Sequence, residues 1–72
     1  MEQNEKLKQL GKNIAKYRKA KFLSQNVLAD KLNISREHLA KIETAKRGIS
    51  ISLIFRICDE LEISERTLFD FE

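Results

Sequence analysis

Apolar residues recur along this chain at steps of three and four, the spacing that places side chains on one face of an α-helix. Leu7, Leu10, Ile14 and Tyr17 set the period first and predict a helix over about residues 5–21, with Lys21 and Phe22 at its end. Lys8, Lys12, Lys16 and Lys19 fall on its other faces, and residues 1–6 read as a frayed polar lead-in. Gly11 inside this helix costs about 1 kcal/mol relative to Ala, which suggests a close approach by a second helix. Phe22 and Leu23 form a short apolar link.

Ser24 is an expected N-cap, because its hydroxyl can accept from a free amide of the first turn. A second helix follows over residues 25–32, with Val27, Leu28 and Leu32 facing inward and Ala29 small enough for a neighbour to cross. Asn33 tolerates the left-handed conformation that ends a helix. Ile34 plugs the corner, and Ser35 caps a third helix over residues 36–44. Only Leu39 and Ile42 are apolar on that helix. Arg36, Glu37, Ala40, Lys41 and Thr44 occupy the rest, so it is half exposed by construction.

Residues 45–49 (AKRGI) read as a loop. Either Ser50 or Ser52 caps a fourth helix whose buried face is Ile51, Ile54, Ile57, Cys58 and Leu61, widened by Phe55. Ser64 caps a last helix over about residues 65–71, with Leu68, Phe69 and Phe71 apolar. The prediction is an all-α fold of five short helices in one domain over residues 1–72, with its core at about 7–69.

Composition narrows the function. A chain of 72 residues buries about 60% of its unfolded surface, which leaves no room for a large substrate pocket with a lid. One His, one Cys and no Gly-rich phosphate loop leave little from which to build a catalytic site, so no enzyme, cofactor or small-molecule substrate is expected. His38 has no partner at metal-ligand spacing. No apolar run approaches the ~20 residues of a membrane span, and the N-terminus lacks a signal core. A cytoplasmic protein is expected, and one unpaired Cys suits that reducing compartment. Residues 1–49 carry 12 Lys/Arg against 5 Asp/Glu, net +7, whereas residues 50–72 carry 2 against 6, net −4. One side thus suits a polyanion and the other does not.

The run L-S-Q-x-x-L-A-x-K-L-x-I-S-x-x-x-L-x-K-I-E over residues 23–43 resembles the helix-turn-helix of the phage repressor and Cro (Xre) family. The similarity extends over about residues 7–69: Leu10, Ile14 and Arg18 match the first helix, Ile51, Ile54, Ile57 and Leu61 the fourth, and residues 64–69 the fifth. The resemblance implies a lambda-repressor-like domain with its DNA-reading motif at residues 24–44. In such motifs the second helix enters the major groove. Arg36, Glu37 and Lys41 then match positions that read base edges. Glu37 could instead cap its helix or orient Arg36, and His38 could touch DNA or pack at the helix edge. Gln25, Thr44, Lys46 and Arg47 match backbone-contact positions, and Lys16 and Lys19 could reach flanking phosphates. Arg18 and Glu43 match a partly buried ion pair between the first and third helices. Two positions depart from the family: Ala45 where Gly is common, and Ile49 where Pro is. Ala45 argues against a left-handed turn directly after the third helix and leaves the bend to Gly48.

Phe55, Leu68, Phe69 and Phe71 are too many large apolar groups for the end of so small a domain, and the surplus suggests a dimer patch. The expected function is sequence-specific binding of double-stranded DNA by a homodimer that represses transcription from a palindromic operator. The rival is a protein-binding module, such as an antitoxin or adaptor, with secondary DNA contact.

Overall fold

Four serines start four helices in the same way. Ser24, Ser35, Ser50 and Ser64 adopt extended backbone, and each hydroxyl accepts from the amide three residues on: Val27 (3.1 Å), His38 (2.9 Å), Leu53 (3.2 Å) and Thr67 (3.1 Å). Each satisfies one of the amides that a helix start leaves unpaired. The computed structural model describes residues 2–71 and contains α1 (Gln3–Ala20), α2 (Gln25–Leu32), α3 (Arg36–Glu43), α4 (Ile51–Leu61) and α5 (Glu65–Leu68). The all-helical expectation is met, and Ser50 rather than Ser52 caps α4.

The first four helices also end alike. Phe22, Asn33, Ala45 and Glu62 all take left-handed backbone, with φ of 58°, 58°, 60° and 57°. In each case the next residue's amide returns to a carbonyl five positions back: Leu23 to Arg18, Ile34 to Ala29, Lys46 to Lys41 and Ile63 to Cys58. These closures satisfy carbonyls that the last helical turn leaves free. Asn33 behaves as its chemistry suggests. Ala45 does not: the chain turns left-handed there without glycine, while Gly48 has no positive φ. The closing bonds, including Lys46 to Lys41 at 2.8 Å, offset the steric cost that weighed against Ala45.

Helix α1 starts at Gln3, earlier than the polar lead-in suggested, and Met1 lies outside the described residues. Helix α5 stops at Leu68 instead of running to Phe71. There the Asn13 amide donates to the carbonyls of Leu68 (2.8 Å) and Asp70 (3.3 Å), which ties the tail to α1.

The core is a single cluster in which Ile14, Leu28, Leu32, Leu39, Ile57, Cys58, Leu61 and Leu68 are almost wholly enclosed. Two inward assignments are corrected. Val27 is exposed, because α2 buries the Leu28, Ala29 and Leu32 stripe one step further round. Ile51 is also exposed, because α4 buries Leu53, Ile54, Ile57, Cys58 and Leu61, which turns Ile51 and Phe55 outward together. Gly11 is where α1 crosses the end of α3. A Cβ there would stand 2.5 Å from the Glu43 carbonyl oxygen and 2.7 Å from that of Ile42. Close helix contact is therefore the reason for this glycine.

Candidate nucleic-acid interface

Helix α3 is anchored by one stripe and free on the other. Leu39 and Ile42 enter the core, while Arg36, Glu37, Lys41 and Thr44 are exposed and Ala40 is half-buried between them. At about 100° per residue, these five positions share roughly 140° of arc. They form one continuous polar face that starts at the helix N-terminus. Arg36 has no hydrogen-bond or ion-pair partner among the described residues. Glu37 and Lys41 lie one turn apart, with Lys41 Nζ 3.3 Å from Glu37 Oε1. An exposed pair of this kind is worth only a few tenths of a kcal/mol, so either partner is easily released to a stronger ligand. His38 sits at the margin of the face and is half-buried.

The turn from α2 to α3 is short and closed. Asn33 supplies the left-handed step, and Ile34 packs against the core. Behind it stands the pair suspected from the sequence. Arg18 Nε donates to Glu43 Oε2 at 2.8 Å, and Arg18 Nη2 donates to Glu43 Oε1 at 3.1 Å. Arg18 Nη1 also donates to the Leu23 carbonyl at 2.9 Å, and both charged residues are buried. The two-pronged geometry and the extra carbonyl satisfy charges that would otherwise be costly to enclose. This joins α1 to the end of α3.

The expected backbone-contact residues divide. Gln25 Nε2 donates to Glu43 Oε1 at 2.9 Å, so its amide is already held by the ion pair. Thr44 is the C-terminal cap of α3: its hydroxyl donates to the Ala40 carbonyl at 2.8 Å, and its amide goes to the same oxygen. A phosphate contact from the Thr44 hydroxyl therefore requires rotation away from α3. Lys46 and Arg47 are exposed on the loop that follows.

Of the four dimer-patch residues, Leu68 is corrected: it is fully enclosed in the core and has no surface to offer. Phe55 and Phe69 are about half exposed at 52% and 43%. Phe71 is half-buried against the core, with its ring centroid 6.0 Å from that of Phe69. Leu7, Leu10, Phe69 and Phe71 line a shallow apolar groove of about 370 Å³ beside α1.

Two contributors were missed from the sequence. Arg56 of α4 donates through Nη2 to the Leu32 carbonyl at the end of α2, pinning the motif to the scaffold. A lone Arg within the apolar run from Leu53 to Cys58 was the available signal. Phe22 is 95% exposed at a left-handed position, which the expectation of an apolar link did not foresee.

Two capped helices, joined by a left-handed Asn turn and presenting one exposed polar face, define a helix-turn-helix DNA-binding protein. A family model described as helix-turn-helix matches residues 14–68, and the chain belongs to the Xre-like helix-turn-helix family. Its structure is similar to the high-resolution crystal structure of the restriction-modification controller protein C.AhdI from Aeromonas hydrophila. The TM-score is 0.82, with 31% identity over 86% of this chain and 94% of that one. No curated protein matches the chain. The protein is a DNA-binding transcriptional regulator, and no helix among the described residues is long and apolar enough to cross a membrane.

Proposed function

We propose that this regulator binds a palindromic operator as a cytoplasmic homodimer and represses transcription by occluding it. The observation that carries this reading is the free polar face of α3, with Arg36 unpaired at its N-terminus. Arg36 can give two hydrogen bonds to guanine, Glu37 can accept from cytosine, and Lys41 can reach a guanine edge one turn on. His38 is placed to touch only the margin of the groove. Lys46 and Arg47, with Gln25 through its second side-chain N–H and Thr44 after rotation, hold phosphates and set the register without reading sequence.

Ile51 and Phe55 of α4 and Phe69 after α5 are exposed apolar groups, with Phe71 next to Phe69, and they supply the apolar surface for pairing. Pairing two copies through it sets the reading helices one DNA turn apart, about 34 Å. The likeness to a restriction-modification controller supports control of such a gene set as the specific form of this role.

Selection of bound sequences from a random duplex pool tests the reading. Two inverted half-sites separated by one helical turn are expected. An absence of enrichment overturns DNA reading, and single, unpaired half-sites overturn the homodimer. The same apolar surface also suits a protein partner, as an adaptor would require. Affinity that falls steeply with salt favours duplex binding, whereas affinity indifferent to salt favours the adaptor.

A further inference from the structure

Four lysines of α1 fall on one face. Counted at about 100° per residue from Gly11, Lys8, Lys19, Lys12 and Lys16 lie about 60° to 140° around the helix. All four are exposed. Gly11 marks the contact of α1 with the end of α3, where a Cβ would meet the Glu43 carbonyl oxygen at 2.5 Å. The lysine face therefore begins beside the C-terminal end of the reading helix, where the loop with Lys46 and Arg47 sets out. The remaining arc of α1 is occupied: Leu10 and Ile14 are in the core, and Asn13 holds the tail.

Three ion pairs form elsewhere, yet none of these four lysines lies within 4.0 Å of a carboxylate among the described residues. Lys8, Lys12 and Lys16 stand at successive four-residue steps, where like charges repel. Apart from Lys16, whose ammonium lies 5.2 Å from the centroid of the Tyr17 ring, these lysines have no charge or ring partner among the described residues, and a polyanion would neutralise the stripe.

The geometry points to this face as a second DNA contact: Lys8, Lys12, Lys16 and Lys19 form a basic ridge that follows the phosphate backbone flanking the operator half-site. The inference rests on the duplex binding proposed above and extends it toward the N-terminus of α1. From Lys8 to Lys19 the ridge is about 17 Å long at 1.5 Å per residue. One DNA strand carries a phosphate every 3.4 Å of axis, so a ridge of that length spans several. The contact adds affinity and salt dependence but no sequence preference, because phosphates carry no base identity.

The test compares the full chain with K8Q/K12Q and, as a control outside the ridge, about 80° further round α1 than Lys16, K6Q. Each binds a duplex recovered by pool selection, either trimmed to the selected site or carrying about ten extra base pairs on each side. Affinity is measured against salt concentration, and each lost phosphate contact lowers the slope by about 0.9. The expected result is a slope shallower by about two for K8Q/K12Q on the longer duplex, unchanged enrichment of bases, and a K6Q slope equal to wild type. Circular dichroism melts of all variants should coincide, since the substituted side chains are exposed. A K8Q/K12Q slope equal to wild type overturns the ridge while leaving the operator reading intact. An equal loss in K6Q overturns it also, by showing a general charge effect. A flat slope for the wild-type chain overturns duplex binding itself.

Discussion

Gln25 and Glu43 meet at 2.9 Å, so the first residue of the first motif helix is tied to the last residue of the second. Glu43 Oε1 also accepts from Arg18, which makes one buried carboxylate the common anchor of α1, α2 and α3. The crossing of the two motif helices is thus held at both ends: by the Asn33 turn on one side and by this carboxylate on the other.

Glu43→Ala is expected to strand the buried Arg18 charge and lower stability by about 3–5 kcal/mol. Gln25→Ala, which removes a partly buried hydrogen bond to a charged group, should cost about 1.5–3 kcal/mol at most. Replacing Arg18 and Glu43 together by Met and Leu should recover most of the first loss. Thermal melts of the four proteins check this ordering. A melt for Glu43→Ala matching wild type would remove the anchor role.

Gly11→Ala improves local helix propensity by about 1 kcal/mol. It also drives a methyl against two backbone carbonyls at 2.5 and 2.7 Å, which cannot rotate away as side chains do. The α1–α3 contact must open, and the net effect expected in urea unfolding is destabilisation of about 1–3 kcal/mol. A stabilised variant would refute the close contact.

Ala45→Gly and Phe22→Gly should each stabilise by about 1 kcal/mol, since both positions are left-handed and glycine adopts that conformation without steric cost. Gly48→Ala is the contrasting case. It has no positive φ and open space around its Cβ, so a gain of about 0.4–1 kcal/mol is expected from a less flexible unfolded chain. Denaturant midpoints for the three variants decide the matter.

Arg36→Ala should weaken operator binding by about 1–3 kcal/mol and relax preference at one base pair per half-site, with no change in melting temperature because the side chain is exposed. Titration against the operator and its single-base variants measures both. Equal affinity of Arg36→Ala and wild type would remove Arg36 from the reading face.

Burial, reinforced by the nearby charges of Glu65 and Asp59, raises the Cys58 thiol from 9.0 to about 11. The folded state thus favours the protonated thiol. Its contribution to stability is fully present below pH 9 and is lost as pH rises towards 11. Native protein at pH 8 should react with a thiol reagent only as fast as it opens, and Cys58→Ala should reduce the loss of stability above pH 9. Rapid labelling of the folded protein would contradict the enclosure of Cys58.

The helices, their serine caps and the Asn33 turn were legible in the sequence, because each depends on residues within four or five positions of one another. The Xre-like motif was legible for the same reason: its fixed spacing is the spacing of two capped helices and a turn. Exposed identities on α3 followed from subtraction, since Leu39 and Ile42 leave only one face free.

Tertiary packing decided what local spacing leaves open. The period of α4 admits two neighbouring stripes, and only packing against α1, α2 and α5 selected Leu53 for the core and turned Ile51 outward with Phe55. Leu68 and Phe69 are equally apolar neighbours, yet the former closes the core and the latter remains at the surface. Ala45 could adopt a left-handed turn because return bonds from Lys46 and Ala45 to α3 offset its cost. The meeting of Gln25 with Glu43, and of Arg56 with the end of α2, joins residues 18 and 24 positions apart. Such contacts arise when helices dock, because a helix's own periodicity determines which faces can be buried but not which partner buries them.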